Sequence, residues 1–205
     1  MTRYEVATLD FQIGKVQAAL ERIREAVTGK STRGRLLGCW IAEIGELNQV
    51  MIVSRYDNDA HLLEDRDAAV LGGNPFGVSE FLTNMSFDTF VQMPFLPALQ
   101  PGAHGPVYEV RIYRFKPSGV APTITLWQDT LGERDKLSPL LAAMYSLDGI
   151  VPRFMHIWPY PDLKARQEIR AKATEMKVWP PKGGHAHLIS MSSRIYLPAS
   201  FSPMS

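Results

Sequence analysis

His156 is the residue of this 205-residue chain best suited to moving a proton. An imidazole titrates near neutrality and can both donate and accept. Alternation along a strand puts Phe154, His156, Trp158 and Tyr160 on one face, so the ring sits among aromatic surfaces able to hold a flat or apolar molecule. A half-buried histidine donating to a backbone carbonyl has the same pattern, and residue type alone leaves both open. Glu43 is a second candidate, a carboxylate base if enclosure raises its pKa and otherwise a turn residue bonded to water or backbone amides. Arg166 and Arg170 are four apart on a helix, as an anion clamp or as part of an ion-paired face with Asp162 and Glu168. Trp179 lies in the Pro/Gly-punctuated stretch Val178–His187, which suits a lid or pocket wall and equally a plain surface connection.

Other chemistries find less support. His185 and His187 are two apart, so in a strand they would share a face and, with His156, offer three nitrogens to zinc or iron. No H-E-x-x-H, cysteine pair or carboxylate-rich loop accompanies them, and no metal is expected. Neither G-x-G-x-x-G, a Walker-type loop nor a G-x-S-x-G elbow is present, so no nucleotide cofactor and no serine hydrolase chemistry is expected. The single Cys39, inside the apolar run Leu36–Ile41, reads as a small buried hydrophobe. With 22 basic against 21 acidic residues, the chain lacks the charge excess of a nucleic-acid or anionic-membrane binder. No apolar run approaches the roughly twenty residues of a membrane span, and the opening Met1–Val6 lacks the character of a leader; a cytoplasmic location is expected by elimination.

The elements that must position these residues recur. At an offset of 104, Tyr4-Glu5-Val6 returns as Tyr108-Glu109-Val110, Leu36-Leu37 as Leu140-Leu141, Tyr56 as Tyr160 and Arg66 as Arg170. Aligning 1–101 on 105–205 gives fifteen identities, against about six expected by chance. We read a duplication: a first repeat over 1–96, a linker over 97–106 with Pro/Gly punctuation, and a second repeat over 107–205. In each half a strand (Tyr4–Phe11) precedes a helix whose stripe is Val16, Ala19, Leu20, Ile23 and Val27, matched by Val120, Ile124, Trp127 and Leu131. A hairpin of Leu36–Ile44 with Val50–Tyr56 follows, then a helix capped by Asp57-Asn58-Asp59 or by Asp162, then a last strand, Leu82–Met93 or His187–Leu197. The fold class is α+β: two ferredoxin-like βαββαβ repeats, each with helices on one sheet face and the other apolar face needing a partner. Two such halves are expected to pack sheet to sheet, within a chain or between chains.

Gly38-Cys39-Trp40-Ile41-Ala42-Glu43-Ile44-Gly45-Glu46-Leu47-Asn48-Gln49-Val50 resembles the G-x-W-x-x-E-x-G-x-L-N-Q-V signature of the NIPSNAP family. His156-Ile157-Trp158-Pro159-Tyr160 is similar to its H-L-W-x-Y continuation, Tyr108–Tyr113 to its Y-E-L-R-x-Y strand, and Phe201-Ser202-Pro203 to its F-S-P. The resemblance spans nearly the whole chain and implies a dimeric α+β barrel, a superfamily that includes cofactor-free monooxygenases, haem-degrading enzymes and isomerases. The motif is divided between the halves. The first keeps Trp40, Glu43, Asn48 and Gln49 but has Ile52 and Ser54 where the family's histidine and tryptophan would stand. The second keeps His156, Trp158 and Tyr160 but has Met144, Leu147, Pro152 and Arg153 opposite the others.

These readings converge on a protein that binds a small apolar or aromatic molecule between sheet and helices of the second half. Trp40, Trp158, Tyr160, Trp179, Arg166 and Arg170 are its candidate binding residues, and His156 and Glu43 the candidate acid–base pair. Cofactor-independent oxygenase or isomerase chemistry is the expected reaction class. A non-catalytic binding or assembly module, and a haem barrel with His156 as axial ligand, are the alternatives. Self-association into a homo-oligomer is expected.

Overall fold

The structure, a computed structural model, describes residues 1–29 and 32–205. Its elements run β1 (Arg3–Phe11), α1 (Val16–Thr28), β2 (Arg35–Ile44), β3 (Gln49–Tyr56), α2 (Asp59–Leu71) and β4 (Leu82–Gln92). They continue as β5 (Val107–Phe115), α3 (Val120–Asp135), β6 (Ala142–Ser146), β7 (Arg153–Tyr160), α4 (Leu163–Glu175) and β8 (Leu188–Pro198). Most boundaries fall within a residue or two of those expected from periodicity. The helix starts of α2 and α4 follow from side-chain caps: Asn58 accepts from the His61 N–H at 2.9 Å and Asp162 from that of Ala165 at 2.7 Å.

The eight strands form one closed barrel in the order β1-β3-β2-β8-β5-β7-β6-β4. Within each half the first strand is central, β1 between β3 and β4, and β5 between β7 and β8, all antiparallel. The halves join through β2 with β8 and β4 with β6, so the two sheets meet at their edges as well as across their apolar faces. Closure leaves each strand with one side in the barrel and one under the helices, which is why both sides are largely apolar. Tyr4, Val6, Trp40, Met51, Tyr108 and Met155 belong to the inner core. Gly38 is needed there because a Cβ would lie 2.0 Å from the Trp40 ring.

The connection between the halves is tied down. Leu99 is buried in the inner core beside Met204, its N–H donates to the Tyr4 hydroxyl at 3.2 Å, and Gly102 bridges to Met204.

Helix cover is uneven, and this shapes the clefts between helices and barrel. α1 buries Val16, Ala19, Ile23 and Val27, and α3 buries Thr123, Trp127, Leu131 and Arg134. α2 buries only Leu62 and α4 only Ala173. One expectation is corrected: His185 and His187 lie on a 3-10 turn, Gly184–His187, before β8 begins, so they do not share a strand face. Gly183, at φ 85°, turns the chain out of extended geometry just ahead of them.

Candidate functional site

The outer face of β7 presents Phe154, His156, Trp158 and Tyr160 to α3, as alternation requires. His156 is 1% exposed, and its Nδ1 accepts a hydrogen bond from Trp158 Nε1 at 2.7 Å. The neutral ring therefore carries its proton on Nε2, which has no partner among the described residues. Rings of Tyr113, Trp127 and Phe154 surround it at centroid distances of 4.8, 4.9 and 5.1 Å. Burial pushes the imidazole pKa well below its ordinary value, and the Arg111 charge pushes the same way, so His156 is neutral at physiological pH. Trp158 lies under the Arg134 guanidinium at 4.1 Å, and Tyr160 accepts from Arg134 at 3.2 Å. Trp179 closes the layer edge-on to Trp127 at 4.6 Å. The space left at this edge is about 50 Å³, lined by Trp127, Phe154, Trp179, Pro180, Pro181 and His185 among others, but not by His156. That volume cannot take a porphyrin, so the geometry gives no support to haem ligation by His156.

Beside these rings, Glu109 is completely buried and encircled by cations. Oε1 accepts from Arg111 at 2.8 Å, Arg166 at 2.6 Å and Ser193 at 2.7 Å, and Arg170 stands 3.7 Å from Oε2. Burial alone would raise this carboxyl, but the hydrogen bonds from Arg166 and Ser193 and the charges of Arg111 and Arg170 bring it down to about 2. Arg166 bonds this carboxylate and Arg170 faces it, so the anion beside both arginines is the chain's own.

The corresponding cleft of the first half is open. A cavity of about 240 Å³ lies between β1, β3, α1 and α2, with Ala7, Ile52, Phe76 and Phe87 among its apolar walls and Glu5, Ser54, Tyr56 and Asp65 among its polar ones. The strand registers explain the difference. Glu5 stands opposite Ser54 as Glu109 stands opposite Trp158, and Ala7 opposite Ile52 as Arg111 opposite His156. Where the second half packs arginine, histidine and tryptophan, the first has alanine, isoleucine and serine, and the volume of those larger side chains is left unfilled. Above it α2 presents Asp65, Ala68 and Ala69, too small to close the gap.

Glu5 is 6% exposed and accepts from Arg66 Nε at 2.8 Å through Oε2; its Oε1 takes no hydrogen bond among the described residues. Burial raises its pKa; the Arg66 hydrogen bond opposes this, while Asp65 and Asp148 add to it. Tyr56 donates its hydroxyl to Asp65 at 3.1 Å, and Asp65 also accepts from the N–H groups of Arg33 and Gly34 at 2.8 and 3.0 Å. Gly34 lets the Tyr56 ring lie close, since a Cβ there would meet it at 2.4 Å.

The expected site residues are thus dispersed. His156, Trp158, Tyr160 and Trp179 share one packed layer beside Arg166 and Arg170. Trp40 points into the barrel against Tyr108 at 5.2 Å, and Glu43 is exposed on β2 with no ion pair among the described residues. Glu5, Ser54, Tyr56 and Asp65 were not singled out by type and spacing. A signal for Glu5 was present: a carboxylate inside the apolar strand Tyr4–Phe11, in register with Ala7, Leu9 and Phe11 on the helix-covered side.

Comparison with known proteins agrees with this architecture. The chain is 22% identical over 213 residues to the NipSnap homolog of Dictyostelium discoideum, covering 95% of this chain and 86% of that protein. It is 23% identical over 218 residues to human NipSnap homolog 3B, covering 99% and 86%. A solved anthrone oxidase-like protein superposes with a TM-score of 0.66 at 12% identity, covering 98% of this chain and 93% of that one, a likeness of fold. The NIPSNAP family model matches twice, over residues 4–97 and 108–203, and the chain belongs to the NIPSNAP family.

Proposed function

We propose that this protein binds a small molecule with an apolar or aromatic body in the cleft between β1, β3, α1 and α2. The observation that carries the reading is the 240 Å³ cavity, walled by Ile52, Phe76 and Phe87 and ending in Glu5, Tyr56 and Asp65. A dry cavity of about 150 Å³ takes benzene, so this one has room for a substituted ring or a fused pair. Its polar end consists of acid–base groups, and the chemistry it supports is cofactor-independent proton transfer, as in an isomerase or a cofactor-free oxygenase. The second half serves as the packed counterpart that holds the barrel closed.

Titration of the full chain with naphthalene and 2-naphthol by calorimetry tests the reading. Saturable one-to-one binding is the expected result, and no heat from either compound counts against it. Self-association is a second reading favoured by one observation: β8 pairs with β2 only from Ile195 onward, leaving Leu188–Arg194 with a free edge on which Ile189 and Met191 are 57% and 51% exposed. Light scattering on the full chain should then give twice the monomer mass, and Met191→Lys should lower it.

A further inference from the structure

Two glutamates at matching strand positions sit in different surroundings. Glu109 accepts from Arg111, Arg166 and Ser193 on Oε1, and its Oε2 is sealed in the packed layer with the Arg170 guanidinium 3.7 Å away and no hydrogen bond among the described residues. Glu5 has one basic partner, Arg66, and that guanidinium is shared: it also donates to Asp148 at 3.0 Å and to Thr89 at 2.8 Å. The Arg66 network links α2 to the β6–β7 connection of the other half, so Glu5 Oε2 is held in place while Oε1 is left for the cavity.

The remaining lining favours a ligand that donates. Its acidic groups are Glu5 and Asp65 and its basic group is Arg33, whose side chain is taken by Glu64 at 2.8 Å and Asp65 at 3.6 Å. The Tyr56 hydroxyl has already given its hydrogen to Asp65, which leaves only its oxygen as an acceptor. A carboxylate or phosphate entering here would meet surplus negative charge, whereas a hydroxyl would find an acceptor in want of a donor. The apolar side of the cavity, with Phe87 stacked on Phe76 at 6.1 Å, is suited to the face of a ring.

We propose that Glu5 is the recognition group of this cleft, its Oε1 accepting a hydrogen bond from the hydroxyl of a neutral hydroxy-aromatic or enolic ligand whose ring lies against Phe76 and Phe87. This rests on the binding reading above and assigns the ligand's chemical class. Arg66 acts as a positioning residue, orienting the carboxylate through Oε2.

The test uses three probes of one ring size, naphthalene, 2-naphthol and 2-naphthoate, titrated into the native chain and the isosteric Glu5→Gln variant at neutral pH. In the native protein 2-naphthol should bind about tenfold tighter than naphthalene, the gain of a hydrogen bond to a carboxyl oxygen, and 2-naphthoate weaker than either. In Glu5→Gln the hydroxyl advantage should fall to about twofold and the naphthoate penalty should shrink, with naphthalene affinity unchanged. That unchanged affinity also reports an intact cleft, and Arg66 keeps Asp148 and Thr89 as partners in the variant. A hydroxyl advantage that survives Glu5→Gln, a native protein that binds naphthalene without preferring naphthol, or tightest binding of naphthoate overturns this inference and leaves the binding reading standing. Binding of none of the three overturns both.

Discussion

Ser54→Trp places in the first half the residue that the second half carries at the matching strand position, Trp158, and should close the cleft. Ser54 lies opposite Glu5 and lines the cavity directly. Forcing a large side chain into a packed core costs about 1–3 kcal/mol, but here about 240 Å³ is already open. The indole would bury apolar surface without displacing neighbours, and we expect the folding free energy to change by less than about 1 kcal/mol in either direction. The effect on binding should be large. An aromatic ligand buries about 150 Å² or more, worth about 4 kcal/mol at 25 cal/mol per Å², so excluding it weakens affinity by between two and three orders of magnitude. Calorimetric titration with 2-naphthol reads the affinity and urea unfolding reads the stability. The reasoning is refuted if Ser54→Trp binds 2-naphthol like the native protein, which puts the ligand elsewhere, or if it loses 3 kcal/mol or more, roughly the cost of severe overpacking, which means that the cleft is already filled.

Trp158→Ala should cost about 3–5 kcal/mol of stability, since it removes a fully buried indole and leaves His156 Nδ1 without its donor; urea midpoints measure this, and a loss below 1 kcal/mol contradicts the packed layer. Glu109 stabilises the fold above its unfolded pKa of 4.5, and the contribution, on the order of 3 kcal/mol, disappears as pH falls toward about 2. His156 acts in the same direction higher up: its depressed folded-state pKa means that the unfolded chain takes up a proton below pH 6.5, so stability should decline from there downward, and His156→Gln should flatten that part of the pH–stability curve. His156→Gln should also leave 2-naphthol affinity within about twofold of the native value, whereas a tenfold loss, 1.4 kcal/mol, would return the function to the second half.

Much of the fold was legible in the sequence. The helical stripe Val16, Ala19, Ile23 and Val27 is the buried face of α1, and Asn58 and Asp162 cap the helices they were expected to cap. Those features are local, set by periodicity and by side chains bonding to nearby backbone. Placement of the site was less legible because it depends on packed volume. Richness in aromatic residues around His156 suggested a pocket, yet Trp127, Phe154, Trp158 and Trp179 fill one another's space. The informative signal was the smaller residue: Ile52 and Ser54 where the family's histidine and tryptophan would stand. Loss of bulk in a closed layer makes a cavity, and the polar group that this one uncovers is Glu5. Glu5 resembles Glu109 in sequence and differs from it in its surroundings, since Ala7 and Leu62 hold the positions where the second half has Arg111 and Arg166.

The location of a bound ring tests the central claim most directly. A crystal structure of the protein with 2-naphthol should show the ring between Ile52, Phe76 and Phe87 under α2, its hydroxyl about 2.7 Å from Glu5. A ring seated instead against Trp127 and Trp179, or inside the barrel beside Trp40, would contradict it.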